Sequence, residues 1–139
     1  MPAVILVVDK FANHRQMIRF AVQLSGRQVL EAETEEQALS LMEGGKIELL
    51  IAGCNMTNTN CLEQLRRLCR FSRNETLPVV ITSHNRVTFN DLGGLPIGSF
   101  AWVQKPFRFA DIQRAVDQVL SNYRDVELHG DGEESPDAG

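Results

Sequence analysis

The sequence predicts a single three-layer α/β domain built on a parallel five-stranded sheet. Three observations carry that prediction. Five apolar runs of strand length recur along the chain and are mostly continuous, as in strands covered on both faces. Stretches with helical periodicity separate them, so strand and helix alternate five times. The length of 139 residues suits one domain, which can bury roughly two-thirds of its unfolded surface without staples.

The first run, Val4–Val8, ends at Asp9-Lys10 with no basic stretch before it, and reads as neither a signal peptide nor a membrane span. Met17, Ala21 and Leu24 make the stripe of a first helix. A second strand follows at Gln28–Ala32, and Thr34 with Gln37 reads as a capping box opening a helix striped by Ala38, Leu41 and Met42. Gly44-Gly45 stops that helix before the third strand, Ile47–Ala52. Leu62, Leu65 and Cys69 mark the third helix and Pro78–Thr82 the fourth strand. The fourth helical segment is poor because Gly93-Gly94 and Pro96 interrupt it, so a short or mobile helix is expected there. Ser99–Val103 is the fifth strand, and Ile112, Ala115, Val116, Val119 and Leu120 give the clearest helical stripe. Right-handed crossovers leave few topologies for such a (βα)5 chain, and the flavodoxin-like order 2-1-3-4-5 is the commonest.

The formal net charge of −4 divides unevenly. Residues 126–139 hold Glu127, Asp131, Glu133, Glu134 and Asp137 and no Lys or Arg, while residues 1–125 hold 13 acids and 14 bases. The reading is a domain over 1–125 followed by an acidic disordered tail or linker over 126–139. A near-neutral body argues against direct nucleic-acid binding. Cys54, Cys61 and Cys69 are an odd number without CxxC spacing, which predicts no disulfide framework and fits a reducing, cytoplasmic setting. Cys61 and Cys69 lie on an apolar helix face and read as buried thiols.

In such a sheet, function belongs at the C-terminal strand ends. Those ends carry Asp9 and Lys10, then Gly53 to Asn60, then Ser83 and His84, then Lys105. There the sequence resembles the receiver domain of two-component response regulators, including the single-domain chemotaxis type. Val7-Val8-Asp9-Lys10-Phe11 with Arg15 and Arg19 is similar to that family's VVDDF opening. Gly53-Cys54-Asn55-Met56-Thr57-Asn58 is similar to its D-x-N-M-P-N loop. Leu77-Pro78-Val79-Val80 leads to Ser83 at the family's Thr/Ser position, and Trp102-Val103-Gln104-Lys105-Pro106-Phe107 resembles its Tyr-x-x-Lys-Pro-Phe ending. The match covers residues 3–121.

The resemblance implies a Mg²⁺ site built on paired acids after the first strand and an Asp ending the third strand that accepts a phosphoryl group from a histidine kinase. It implies that Thr/Ser and Lys contact that group and that the aromatic is a switch. Phosphoryl transfer needs an oxygen nucleophile and cations on the equatorial oxygens, and Mg²⁺ needs clustered oxygen ligands. Here the acceptor position is Gly53 and the second metal acid is Lys10. The family pocket carries a formal −2, whereas Asp9, Lys10 and Lys105 sum to +1. Mg²⁺ binding is therefore expected to be lost or very weak, with no metal, cofactor or enzymatic activity. The retained residues are Asp9, Asn55, Ser83 and Lys105, with Trp102 as the aromatic.

The expectation is an atypical receiver, not phosphorylatable at the usual site, that acts by protein–protein contact. The resemblance places its contact surface at about residues 85–122. A homodimer is compatible with this reading, and no membrane partner is expected. Alternatives remain open. Lys10, Lys105 and Ser83 could gather an anion, with Lys10 otherwise pairing with Asp9, standing solvated, or filling the vacated metal site. Cys54 beside His84 could serve as a thiol sensor or nucleophile. The chain could be the N-terminal regulatory part of a longer effector. Arg66, Arg70 and Arg73, with Arg67 beside them, form a basic stripe that is either a solvated face or a docking site for an acidic partner.

Overall fold

The computed structural model describes residues 4–24, 26–54, 59–72, 76–95 and 97–129. The elements run β1 (Val4–Val8), α1 (Ala12–Gln23), β2 (Gln28–Ala32), α2 (Glu35–Glu43), β3 (Leu49–Gly53), α3 (Thr59–Ser72), β4 (Pro78–Ser83), a 3-10 turn (Phe89–Leu92), β5 (Ser99–Gln104) and α4 (Phe109–His129). All strand pairs are parallel, and the sheet order is β2-β1-β3-β4-β5, as the alternation predicted.

Successive strand residues serve opposite layers. Leu6, Val8, Leu50, Ala52, Val79 and Ile81 pack with Ala38 and Met42 of α2 and with Leu65 and Leu68 of α3. Ile5, Val7, Leu49, Ile51 and Val80 pack with Ile18 and Val22 of α1 and with Ile112, Val116 and Val119 of α4. Because both faces are covered, the strands read as unbroken apolar runs rather than alternating ones.

Several local details differ from the sequence reading. β3 begins at Leu49; Ile47 is buried ahead of it, outside the sheet. On α1 the buried residues are Ile18, Ala21 and Val22, while Leu24 caps the helix and is 64% exposed. The Thr34 hydroxyl accepts from the Gln37 N–H at 3.2 Å, but the Gln37 side chain accepts from the Glu33 N–H rather than from Thr34, so only half the capping box forms. The interrupted fourth segment is a single 3-10 turn, opened by Thr88 and Asp91 in a reciprocal cap and closed by Gly93 at φ 43°. α4 continues to His129, past the expected boundary at residue 125, and the rest of the acidic segment lies outside the described residues. Among the described residues, no helix is long and apolar enough to cross a membrane.

α2 and α3 are tied by an ion pair in which the Arg67 guanidinium donates to both Glu35 carboxylate oxygens. This commits Arg67, so it is not part of a free docking stripe. Arg70 stays exposed, Arg66 is half-buried, and Arg73 lies outside the described residues. The hydrogen bond from Arg67 holds the Glu35 carboxyl below its usual value of 4.5. A depressed carboxylate stabilises fully above its unfolded value and loses that contribution as pH falls through the folded one. Wild type and Glu35→Gln should therefore differ in melting temperature at neutral pH, and the difference should shrink as pH falls below 4.5 through the lowered folded value, which melting curves across pH will check. A second test concerns Gly98, whose N–H donates to the Leu77 carbonyl at 2.9 Å. A Cβ there would lie 2.7 Å from Thr76 Cα and overlap the Thr76 carbonyl. Gly98→Ala should cost about 1–3 kcal/mol in urea unfolding, since backbone on both sides cannot easily yield.

Candidate functional site

The strand ends bring Asp9, Gly53, Ser83 and Lys105 together at one edge of the sheet. Main-chain hydrogen bonds fix their positions: Asp9 N–H to Ala32 O at 3.1 Å, Cys54 N–H to Thr82 O at 2.9 Å, and Lys105 N–H to Ser83 O at 2.8 Å. The ladders thus extend past the strand ends and hold the pocket walls as rigidly as the sheet.

Asp9 is the centre. It is buried, and its Oδ2 meets the buried Lys105 ammonium at 3.1 Å. Its Oδ1 accepts the Phe11 N–H at 2.9 Å, and its main-chain carbonyl accepts Arg15 Nη1 at 2.6 Å. Arg15 and Arg19 both reach back to Glu31 on β2, which anchors α1 beside the pocket. The Asp9 carboxylate lies over Gly53: a Cβ there would sit 2.6 Å from Asp9 Cγ and overlap Oδ2. The space that a side chain at 53 would need is therefore filled.

Lys10 neither pairs with Asp9 nor fills the metal site; its side chain is solvated, the other state weighed for it. The ion pair on Asp9 comes from Lys105, 96 residues away, while the Lys10 side chain is exposed with its ammonium 5.3 Å from the Phe11 ring centroid. The Lys105 ammonium approaches the same ring at 5.6 Å, a second cation–π contact. Ser83 is buried; its hydroxyl donates to Asn85 O at 2.5 Å and accepts from the Trp102 indole N–H at 2.9 Å. That bond ties Trp102 to the pocket wall, with Arg86 5.5 Å from its ring centroid. Asn55 lies outside the described residues.

The cysteine expectation is overturned. Cys54 and Cys61 are joined as a disulfide with Cα atoms 5.9 Å apart, and Cys69 alone is free. An odd count allowed this: the cysteine after β3 and the one near the start of α3 meet within the core cluster that also holds the third. Cys54 is consequently not a nucleophile paired with His84, and Cys61, buried as expected, is not a free thiol. Cys54, Cys61, Lys10, His84 and Lys105 all border a cavity of about 780 Å³. Sequence reasoning also missed His14, whose Nδ1 is buried 3.6 Å from Asp9 Oδ2 without a hydrogen-bond partner, its ring set against Phe11 and Phe107. Its only signal was its place three residues after Phe11 on α1.

A parallel sheet of this order, with its pocket at the carboxyl edge, is the architecture of a signalling receiver. The chain belongs to the response regulator receiver domain family, which it matches over residues 5–117. It is 29% identical over 116 residues, 84% of this chain and 51% of the relative, to the phosphate regulon transcriptional regulatory protein PhoB of Pseudomonas aeruginosa. It is 26% identical over 119 residues, 86% of this chain and 52% of the relative, to the KDP operon transcriptional regulatory protein KdpE of Escherichia coli. The chain thus spans about half the length of these curated relatives. In fold it is similar to the chemotaxis response regulator CheY4 of Vibrio cholerae, with a TM-score of 0.73 at 22% identity over 86% of this chain and 99% of that one.

Removing one member of the Asp9–Lys105 pair leaves an uncompensated buried charge. Lys105→Met should cost roughly 3–5 kcal/mol in chemical unfolding, and the double variant Asp9→Asn/Lys105→Met should recover much of that loss. Equal stability of the single and double variants would mean the pair is not desolvated.

Proposed function

We propose that this domain is a receiver from which phosphorylation at the usual site has been removed, and that it signals through protein contact alone. The observation that carries the reading is the Asp9 carboxylate, which fills the space above Gly53 and is neutralised by Lys105. The position aligned with the acceptor offers no nucleophile. The family's Mg²⁺ does not fit the residues present: Gly53 gives no donor, Lys10 brings a cation, and the Asp9 carboxylate already accepts from a lysine and a main-chain N–H.

The same chemistry disfavours an anion in this pocket as well. Lys105 is paired, Ser83 is committed to Asn85 and Trp102, and Glu33 and Glu35 border the cavity beside Lys10. The partner surface is proposed at residues 85–122. There the reduced fourth helix leaves a groove of about 700 Å³ beside β5, bordered by Trp102, Arg86, Arg114 and Phe89, the last 61% exposed. With no phosphoryl group to drive it, Trp102 is held by Ser83 in one arrangement, and the domain presents a constant face. Intact-mass measurement after incubation with acetyl phosphate and Mg²⁺ tests the reading. The expected spectrum is that of the unmodified chain; a stable phosphoryl adduct on an aspartate overturns it.

A further inference from the structure

β5 stands at one edge of the sheet: it pairs with β4, and no second strand lies on it among the described residues. In a parallel ladder, alternate residues turn both main-chain groups toward the same neighbour. The Lys105 N–H bonded to Ser83 O sets the phase, so Ala101 and Val103 face β4 while Phe100, Trp102 and Gln104 turn their N–H and C=O groups outward. Residues 100–104 line the groove beside β5 without a break, between the 86–89 segment on one side and Asp111, Arg114, Ala115 and Gln118 of α4 on the other. The connection from β4 supplies only the four-residue 3-10 turn Phe89–Leu92, and the edge stays open. Sheets guard such edges with charged side chains, proline or a bulge. β5 has none of these: its residues are uncharged and its register on β4 is unbroken. The charges stand on the walls instead. Arg86 lies 5.5 Å from the Trp102 ring centroid, and Arg114 bonds Asp111, whose other oxygen accepts the Arg108 N–H. The groove is thus open main chain between two exposed arginines and one committed carboxylate, a net positive site.

We infer that β5 is a docking edge that takes an extended, acidic segment of a partner protein as a sixth strand, with the carboxylates of that segment on Arg86 and Arg114. The outward N–H and C=O groups of Phe100, Trp102 and Gln104 supply the affinity, and the arginines select the charge of what binds. Five or six residues at about 3.3 Å each cover the edge. Alternate side chains of the segment fall against opposite walls, and each wall offers one arginine beside apolar surface: Phe89 on one, Ala115 on the other. The inference rests on the protein-contact reading of residues 85–122 and gives that partner its chemistry. The two fail separately, because a phosphoryl adduct would overturn the silenced receiver and leave a peptide titration unchanged, while a failed titration would leave the mass of the chain unmodified.

The test titrates the full chain with the blocked hexapeptide Val-Glu-Glu-Val-Glu-Glu by calorimetry and follows amide hydrogen exchange by NMR. Two counterparts serve as controls, one with lysine in place of glutamate and one N-methylated at every residue. The expected result is saturable binding that slows exchange at Phe100, Trp102 and Gln104 and leaves Ala101 and Val103, already bonded to β4, unchanged. Each counterpart should bind at least about tenfold more weakly, the effect of losing one or two main-chain bonds or of reversing the charge. Arg86→Glu and Arg114→Glu should each weaken the glutamate peptide and strengthen the lysine one; both side chains are exposed, so these changes leave the core intact. Absence of saturable binding up to millimolar peptide overturns the inference. Equal binding of the N-methylated peptide would show side-chain docking without strand pairing, and equal binding of the lysine peptide would show an edge indifferent to charge. Protection of the same three amides that deepens with protein concentration alone would put a second copy of the chain on the edge. Each of these three outcomes also overturns it.

Discussion

The buried ion pair between Asp9 and Lys105 is the constraint on which the pocket depends. At 3.1 Å, and with an effective dielectric of about 20, its gross attraction is roughly 5 kcal/mol. Desolvation of two ions offsets most of that, so the pair adds little net stability. What it supplies is position. It joins the end of the first strand to the end of the fifth and draws the carboxylate across the third. Everything at the sheet edge is arranged around that closed contact: Phe11 donating to the carboxylate, Arg15 to the carbonyl, and no side chain beneath at Gly53.

A receiver pocket with several acids must gather a cation from solution. In the reading proposed above, the acids at 10 and 53 are absent while Lys105 is kept, so the lysine meets Asp9 directly. A mobile ion can come and go with a phosphoryl group, whereas a lysine held just past β5 by its main-chain bond to Ser83 stays with the chain. The residues at 10 and 53 are coherent with each other. Had Gly53 been any larger residue, Asp9 could not lie where it lies. Had Lys10 been acidic, a second carboxylate would stand beside a pair already neutral.

The layered fold was legible because parallel strands buried on both faces need long apolar runs, and Val4–Val8, Leu49–Gly53 and Pro78–Ser83 supply them. Local exceptions were not. Ile47 is as apolar as a strand residue but is buried without pairing, and Leu24 keeps the helical period while standing beyond the helix end, where no layer covers it. The site residues could be listed from the strand ends, but their partners could not. Lys10 adjoins Asp9 in sequence, yet the lysine that meets the carboxylate is 96 residues on, because the long Lys105 side chain after β5 reaches across the ends of β4 and β3 to the end of β1. The cysteine pairing was hidden for the same reason: spacing alone does not tell which sulfurs a strand–loop–helix turn will face toward each other.

The indole N–H bonded to Ser83 belongs to the only tryptophan in the chain. The protein therefore carries a built-in optical probe at the seam between its pocket and its outer groove. Its tryptophan emission comes from one ring, held by one hydroxyl and flanked by one guanidinium, so a shift in colour or yield reports motion at that seam without a label.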